Sequence, residues 1–290
     1  MEAGSDTSKH WQRPFNPREI AAFFALTFLI SWSAWAIFTF SGGEGIMGLF
    51  ALIFTLGPSL SALIILKASG GSIISWLRKR FVWRVRLGWY AAVLGLPVLV
   101  VAATALVYSL AGGAVDLGDV SPQILGILAI TFVMHTVVGG GQEEWGWRGF
   151  ALPRLQGRFS ALKASLVLGL FHGLWHLPLF LPGSTQENIA WPPYMVTLML
   201  MAVVFTWVYN NTGSVLLVMM LHGMINTVSH LNLLPSFYIG AMEIPEVPAL
   251  LELSNLMVWL ALAAVLTAVC GRERLSRSPR STPSADTASP

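Results

Sequence analysis

Apolar stretches long enough to cross a hydrocarbon core, about 20 residues each, recur eight times along this chain of 290 residues. They lie near 20–40, 46–66, 89–111, 123–143, 162–182, 194–210, 213–233 and 249–270. Composition points the same way: 55% of the residues are apolar and 11% are charged, against roughly 25% charged in a soluble protein. A domain in water could not cover its surface with so little charge, so the bilayer is the expected solvent. Gly, Pro and His interrupt the second, fourth, fifth and seventh stretches, which spans tolerate where neighbouring helices re-satisfy the backbone. The expected fold is all-α, a polytopic integral membrane protein of about eight transmembrane helices.

The charges test this topology. The basic residues fall in four segments: Lys9, Arg13 and Arg18; Lys67, Arg78, Lys79, Arg80, Arg84 and Arg86; Arg148, Arg154, Arg158 and Lys163; and Arg272, Arg274, Arg277 and Arg280. These are all 17 Lys and Arg residues, and an eight-span chain puts every one on the same side. The opposite loops hold Glu44, Asp116, Asp119, Glu187, Glu243 and Glu246. By the positive-inside rule both termini are cytoplasmic. The first apolar stretch exceeds the usual 7–15 residues of a signal core and reads as a retained anchor. The expected division is a cytoplasmic tail over 1–18, a helical membrane domain over 19–271 and a disordered cytoplasmic tail over 272–290. Cys270 is the only cysteine, which excludes an internal disulfide and a Cys-based metal site.

Two adjacent carboxylates, Glu143 and Glu144, close the fourth stretch in the run Gly139-Gly140-Gly141-Gln142-Glu143-Glu144-Trp145-Gly146-Trp147-Arg148. Ionisable groups at the edge of a bilayer core are costly and mark functional sites. Glu144 and Arg148 are four apart with the acid first, the favourable order for a pair on one helix face. Glu143 lies about 100° round the helix from Glu144, on another face, and is left to act as a base on water. In the fifth stretch His172 and His176 share a face, with Pro178 breaking regular hydrogen bonding nearby. In the seventh, His222 and Asn226 share a face and both can donate toward one point, as an oxyanion requires. Three polar-bearing spans together read as an intramembrane active site. His135 and His230 have no spaced partner and read as structural, and Ser31, Ser59, Ser165 and Thr206 read as helix-packing residues.

Taken in order, Glu-Glu-x-x-x-Arg at Glu143, Glu144 and Arg148, a His at His176, and His-x-x-x-Asn at His222 and Asn226 resemble the CAAX prenyl protease and bacteriocin-processing family (the Abi proteins of bacteria). The resemblance covers a catalytic core of about 120–232. It implies a glutamate-based intramembrane endopeptidase with no bound metal, no other cofactor and no covalent intermediate. Glu143 would activate a water held also by His176, His222 and Asn226 would stabilise the oxyanion, and Glu144 and Arg148 would order the site. The family's second motif is usually Phe-x-x-x-His. Here His172 takes the first place and Phe171 stands one residue earlier, which leaves His172 open as an accessory ligand or proton carrier.

Two other readings stay open at this stage. One is a zinc-dependent hydrolase using His172, His176 and His222 with Glu143. The other is a non-enzymatic immunity factor or scaffold whose polar residues hold the bundle together. The expected partners are the bilayer and a membrane-anchored, lipidated or hydrophobic peptide substrate, with no nucleic acid, in a bacterial or archaeal cell membrane.

Overall fold

The computed structural model describes residues 15–41, 47–115, 122–184, 186–229 and 248–277. His230, the basic residues Lys9, Arg13 and Arg280, and the acidic residues Glu44, Asp116, Asp119, Glu243 and Glu246 lie outside them. Among the described residues all regular structure is helical: α1 (Pro17–Phe40), α2 (Met47–Ala68), α3 (Ile73–Arg80), α4 (Leu87–Leu110), α5 (Pro122–Val137), a composite helix α6 (residues 141–156), α7 (Ala161–Trp175), α8 (Trp191–Thr212), α9 (Val215–Ser229) and α10 (Ala249–Cys270). Eight of these fall on the eight apolar stretches. The protein is an all-α polytopic membrane protein, with Phe40, Leu99, Leu110 and Ile130 among the large apolar side chains turned outward.

Local signals set the ends. Asn16 caps α1 by accepting from the backbone N–H of Arg18 and Glu19, and Pro17 opens the first turn, where its missing N–H costs nothing. Gly213, at φ +71°, stops α8 in the left-handed conformation, and Ser214 at once caps α9 by accepting from Leu217 N–H at 3.1 Å.

Helix length divides the bundle. With 24 residues, α1 and α4 each rise ~36 Å, enough to cross the ~30 Å hydrocarbon core. By contrast α5, α7 and α9 have 16, 15 and 15 residues and rise only ~22–24 Å. The fourth stretch, expected to run to 143, is helical only to Val137, because the N–H groups of Val138 and Gly139 both close on Met134 O and Gly140 sits at φ +124°. The fifth, expected to run to 182, leaves the α conformation after Trp175 and continues as a 3-10 turn, Leu177–Phe180. Pro178 has no N–H to extend the helix, and Trp32 Nε1 donates to the freed Trp175 carbonyl at 3.0 Å. Irregular backbone at membrane depth survives only where protein satisfies it. These broken ends surround the acids.

In the packing, α1 lies along α2, α7 along α8, and α9 against α4 and α5, with α10 against α4 and α8. The first half of α6 is held between α2 and α9. A Cβ on Gly146 would overlap the Pro58 carbonyl of α2, so only glycine permits this approach. Small polar side chains bind helices together, as Ser31 does to Phe54 O, Ser59 to Gln142 O and Ser165 to Thr206 Oγ1.

The basic segments gather at one end of the bundle. Arg154 Nε donates to Glu19 Oε2 at 2.9 Å, Ser214 Oγ to Val82 O at 2.6 Å and Asn210 Nδ2 to Arg274 O at 2.7 Å. Residues 272–277, expected within the C-terminal tail, are instead pinned to the bundle. Leu162 N–H donates to Arg272 O, Ala161 N–H to Glu273 O and Asn211 Nδ2 to Leu275 O, and Leu275 is fully buried. The side chain of Leu275 fills a small cluster with Ala161, Val203 and Ala263, which explains why the chain does not leave the protein at Gly271.

Candidate active site

The acids sit on α6, which changes register along its length. A 3-10 turn (Gly141–Glu143) leads into an α turn (Glu144–Gly146), a π segment (Trp147–Ala151) and a last α turn (Leu152–Gln156). Pro153 explains part of this. It lacks the N–H that would close on the Gly149 carbonyl, and Arg80 Nε of α3 donates to that oxygen instead, at 2.6 Å. The entry to α6 is held by Gln142, whose Oε1 accepts from Gly140 N–H while its Nε2 donates to Thr55 Oγ1 and Val138 O. Sequence reading passed over Gln142. Its position between the glycine run and the acids was the available signal.

Glu143 and Glu144 are both buried, but their partners differ. Glu144 lies 2.9 Å through each carboxylate oxygen from one Arg148 nitrogen, and its Oε1 is 2.8 Å from His222 Nδ1. Arg148 also lies 4.5 Å over the Phe205 ring. A buried ion pair of this kind is bound by geometry rather than by net gain, because taking both charges from water offsets most of their attraction. Glu143 accepts from Trp147 Nε1 at 3.3 Å and lies 3.1 Å from His172 Nε2. Both contacts fall on Oε2, and among the described residues no hydrogen-bond donor takes Oε1. Glu143 is therefore held on one oxygen, and it lies apart from the Glu144–Arg148 pair, as the spacing predicts.

The histidines take distinct roles. His176 Nδ1 is 2.9 Å from the His172 carbonyl; a carbonyl only accepts, so this nitrogen carries the proton and Nε2 of the neutral ring carries the lone pair. His172 stands at the centre, its ring 4.9 Å from that of His176, 5.0 Å from Trp147 and 6.2 Å from His222. Phe171 turns the other way, stacking on Phe24 of α1 at 3.9 Å. In this chain His172, and not Phe171, faces the acid. Tyr194 of α8 lies against His176, ring to ring 5.7 Å, a contact that nothing in the local sequence announced.

Gly140 fixes the remaining pair. A Cβ at Gly140 would stand 2.6 Å from Asn226 Nδ2 and 2.8 Å from His222 Nε2, so both nitrogens approach one point beside the glycine turn. Asn226 Nδ2 donates to Gly139 O at 2.8 Å, which uses one of its two N–H groups. The residues singled out from three stretches thus come together, and His222 joins the two halves of the cluster through Glu144. His135 stays outside, its Nδ1 3.2 Å from Thr227 Oγ1. No three His, Cys, Asp or Glu side chains among the described residues are disposed to ligate one ion.

Comparison with known proteins falls on this same region. Residues 124–228 match the family described as type II CAAX prenyl endopeptidase Rce1-like. The chain is also similar to CAAX prenyl protease 2 of Methanococcus maripaludis, 38% identical over 92 residues, which is 29% of this chain and 34% of that protein. The chain therefore spans about a third of the length of the curated relative it matches. The matched residues 124–228 hold Glu143, His176, His222 and Asn226.

Proposed function

We propose that the protein is an intramembrane endopeptidase of CAAX prenyl protease type. It hydrolyses a peptide bond in a membrane-associated, lipidated or hydrophobic substrate. One observation carries the reading: Glu143 on α6, His176 at the C-cap of α7, and His222 with Asn226 on α9 meet in one cluster with complementary hydrogen-bonding roles. The end of the bundle that gathers the basic segments faces the cytoplasm of a bacterial or archaeal cell, and both termini lie on that side.

The chemistry follows from the donors and acceptors. Glu143 Oε1 and the His176 Nε2 lone pair are two acceptors for the hydrogens of one water, which is oriented and made more nucleophilic between them. The water oxygen bonds to the scissile carbonyl carbon, one proton passes to Glu143, and the carbonyl electron pair moves onto oxygen. That oxyanion meets the free N–H of Asn226 and His222 Nε2. Because His222 Nδ1 faces a carboxylate, Nε2 donates only in the imidazolium form, and Glu144 is its counter-ion. Arg148 holds Glu144 in place. Collapse returns the proton from Glu143 to the departing nitrogen, the C–N bond breaks, and a carboxylic acid and an amine leave, the acid then giving its remaining proton to the amine. No step needs a metal or a covalent intermediate.

Preference for a substrate carrying a lipid, such as a prenylated C-terminal tail, draws support from the family match over residues 124–228 and from a site set among apolar helices. The test compares peptide termini in cells carrying wild-type protein or Glu143→Gln at matched abundance. New termini that require Glu143 are expected. Wild-type cleavage by a folded Glu143→Gln protein would remove Glu143 as the base.

A further inference from the structure

The stretch from 45 to 115 contains no Asp or Glu, yet it holds Lys67, Arg78, Lys79, Arg80, Arg84 and Arg86. Only Arg80 among the last five is buried. The catalytic scheme above uses none of these side chains. Lys67 lies in the last turn of α2, and the other five lie on and just after α3, at the end of the bundle between α2 and α4.

This short helix has two faces. Inward, Trp76 is buried and packs against Trp145 of α6 at 5.6 Å, and Arg80 closes the Gly149 carbonyl of the same helix. Outward, Arg78, Lys79, Arg84 and Arg86 are exposed, and among the described residues no acid pairs with them. Large apolar side chains are exposed beside them: Ile74 at 63%, Trp83 at 56% and Leu87 at 80%. Arg84 lies 4.8 Å over the Trp83 ring. Water suits the cations and not the apolar groups, whereas hydrocarbon suits the reverse. Only the headgroup boundary accommodates both at once, with aromatic and aliphatic groups in the acyl margin and cations among phosphates.

We propose that α3 and the 81–87 segment form a docking surface for anionic phospholipid headgroups, coupled to the active site through α6. Charge complementarity selects the occupant: four cations with no acidic partner among the described residues attract a negatively charged leaflet. The coupling is the inward face. Seating α3 on the leaflet holds Arg80 on the Gly149 carbonyl, the acceptor whose i+4 amide donor is missing at Pro153, five residues from Glu144. Lifting α3 frees that carbonyl and loosens the segment that carries both acids. The coupling to turnover rests on the peptidase reading, but the lipid surface itself does not.

The test uses the full chain, wild type and Arg78→Gln/Lys79→Gln/Arg84→Gln/Arg86→Gln, none of which touches the acids. Native mass spectrometry counts retained phosphatidylglycerol against phosphatidylcholine, and hydrogen exchange follows the amides of α6 in vesicles with and without phosphatidylglycerol. Wild type is expected to retain phosphatidylglycerol preferentially and to slow exchange in α6 severalfold when that lipid is present. The fourfold variant should lose both effects, while Arg78→Lys/Arg84→Lys/Arg86→Lys keeps them. Equal retention of the two lipids by wild type, or unchanged preference in the fourfold variant, overturns the surface, as does binding of an acidic peptide in place of lipid. Preferential retention without any change in α6 exchange overturns the coupling. Both readouts are independent of cleavage, so a failed peptidase reading leaves them intact.

Discussion

Replacing Arg148 by Met isolates what the buried ion pair does. The guanidinium is 1% exposed and Glu144 fully buried, and one Arg148 nitrogen serves both carboxylate oxygens at 2.9 Å. Met has similar length and keeps contact with the Phe205 ring, so lost packing is small. What remains is a carboxylate out of water with His222 as its one side-chain partner. Removing one member of a buried pair costs about 3–5 kcal/mol, and the new apolar contact against Phe205 offsets about 1 kcal/mol. A net loss of about 2–4 kcal/mol is expected. Replacing both members removes the stranded charge, and neutral groups of similar volume are close to equivalent in stability. Glu144→Gln/Arg148→Met should therefore recover to within about 1 kcal/mol of wild type. Turnover should not recover, because His222 no longer faces an anion; weakening one oxyanion donor costs about 10²–10³-fold. Unfolding midpoints in one detergent, read beside cleavage rates, close the cycle. A double variant no more stable than Arg148→Met, or one as active as wild type, refutes the assigned roles.

His172→Phe installs the residue usual in the family's second motif but removes the group 3.1 Å from Glu143 Oε2. Turnover should fall about tenfold or more with KM little changed, and His172→Gln, which keeps an N–H donor, should recover part of it. Gly140→Ala places a Cβ among Asn226 and His222 at a φ of +124°; strain of about 1–3 kcal/mol and near-complete loss of cleavage are expected, read by thermal unfolding and peptide assay. Dialysis of purified protein against a strong chelator should leave the cleavage rate unchanged, and loss restored by added zinc would favour a metal centre instead.

The fold was legible because the bilayer imposes a length rule: eight apolar stretches gave eight helices, and the basic residues marked one end. Helix ends inside the bundle were not legible. The apolar run through Val137 and Val138 continues in composition but not in conformation, since the glycine turn and Gln142 end α5 through tertiary hydrogen bonds. The same holds for α6, where the π register answers to Arg80, a residue remote in sequence. Spacing four apart correctly paired Glu144 with Arg148, because that relation is local to one helix. It could not show that His172 meets Glu143 while His176 holds its own backbone, because those contacts depend on how α7 is rotated against α6. The packing of 272–277 was hidden by a polar composition that resembles the tail beyond it.

The central claim is that Glu143 activates the water that cleaves a peptide bond. Purified wild-type and Glu143→Gln proteins in vesicles, given a prenylated CAAX peptide in ¹⁸O-labelled water, test it directly by mass spectrometry. Wild-type products should carry labelled oxygen in the new carboxylate, and a Glu143→Gln protein with an unchanged unfolding midpoint should give no products. Equal cleavage by the two proteins would contradict it.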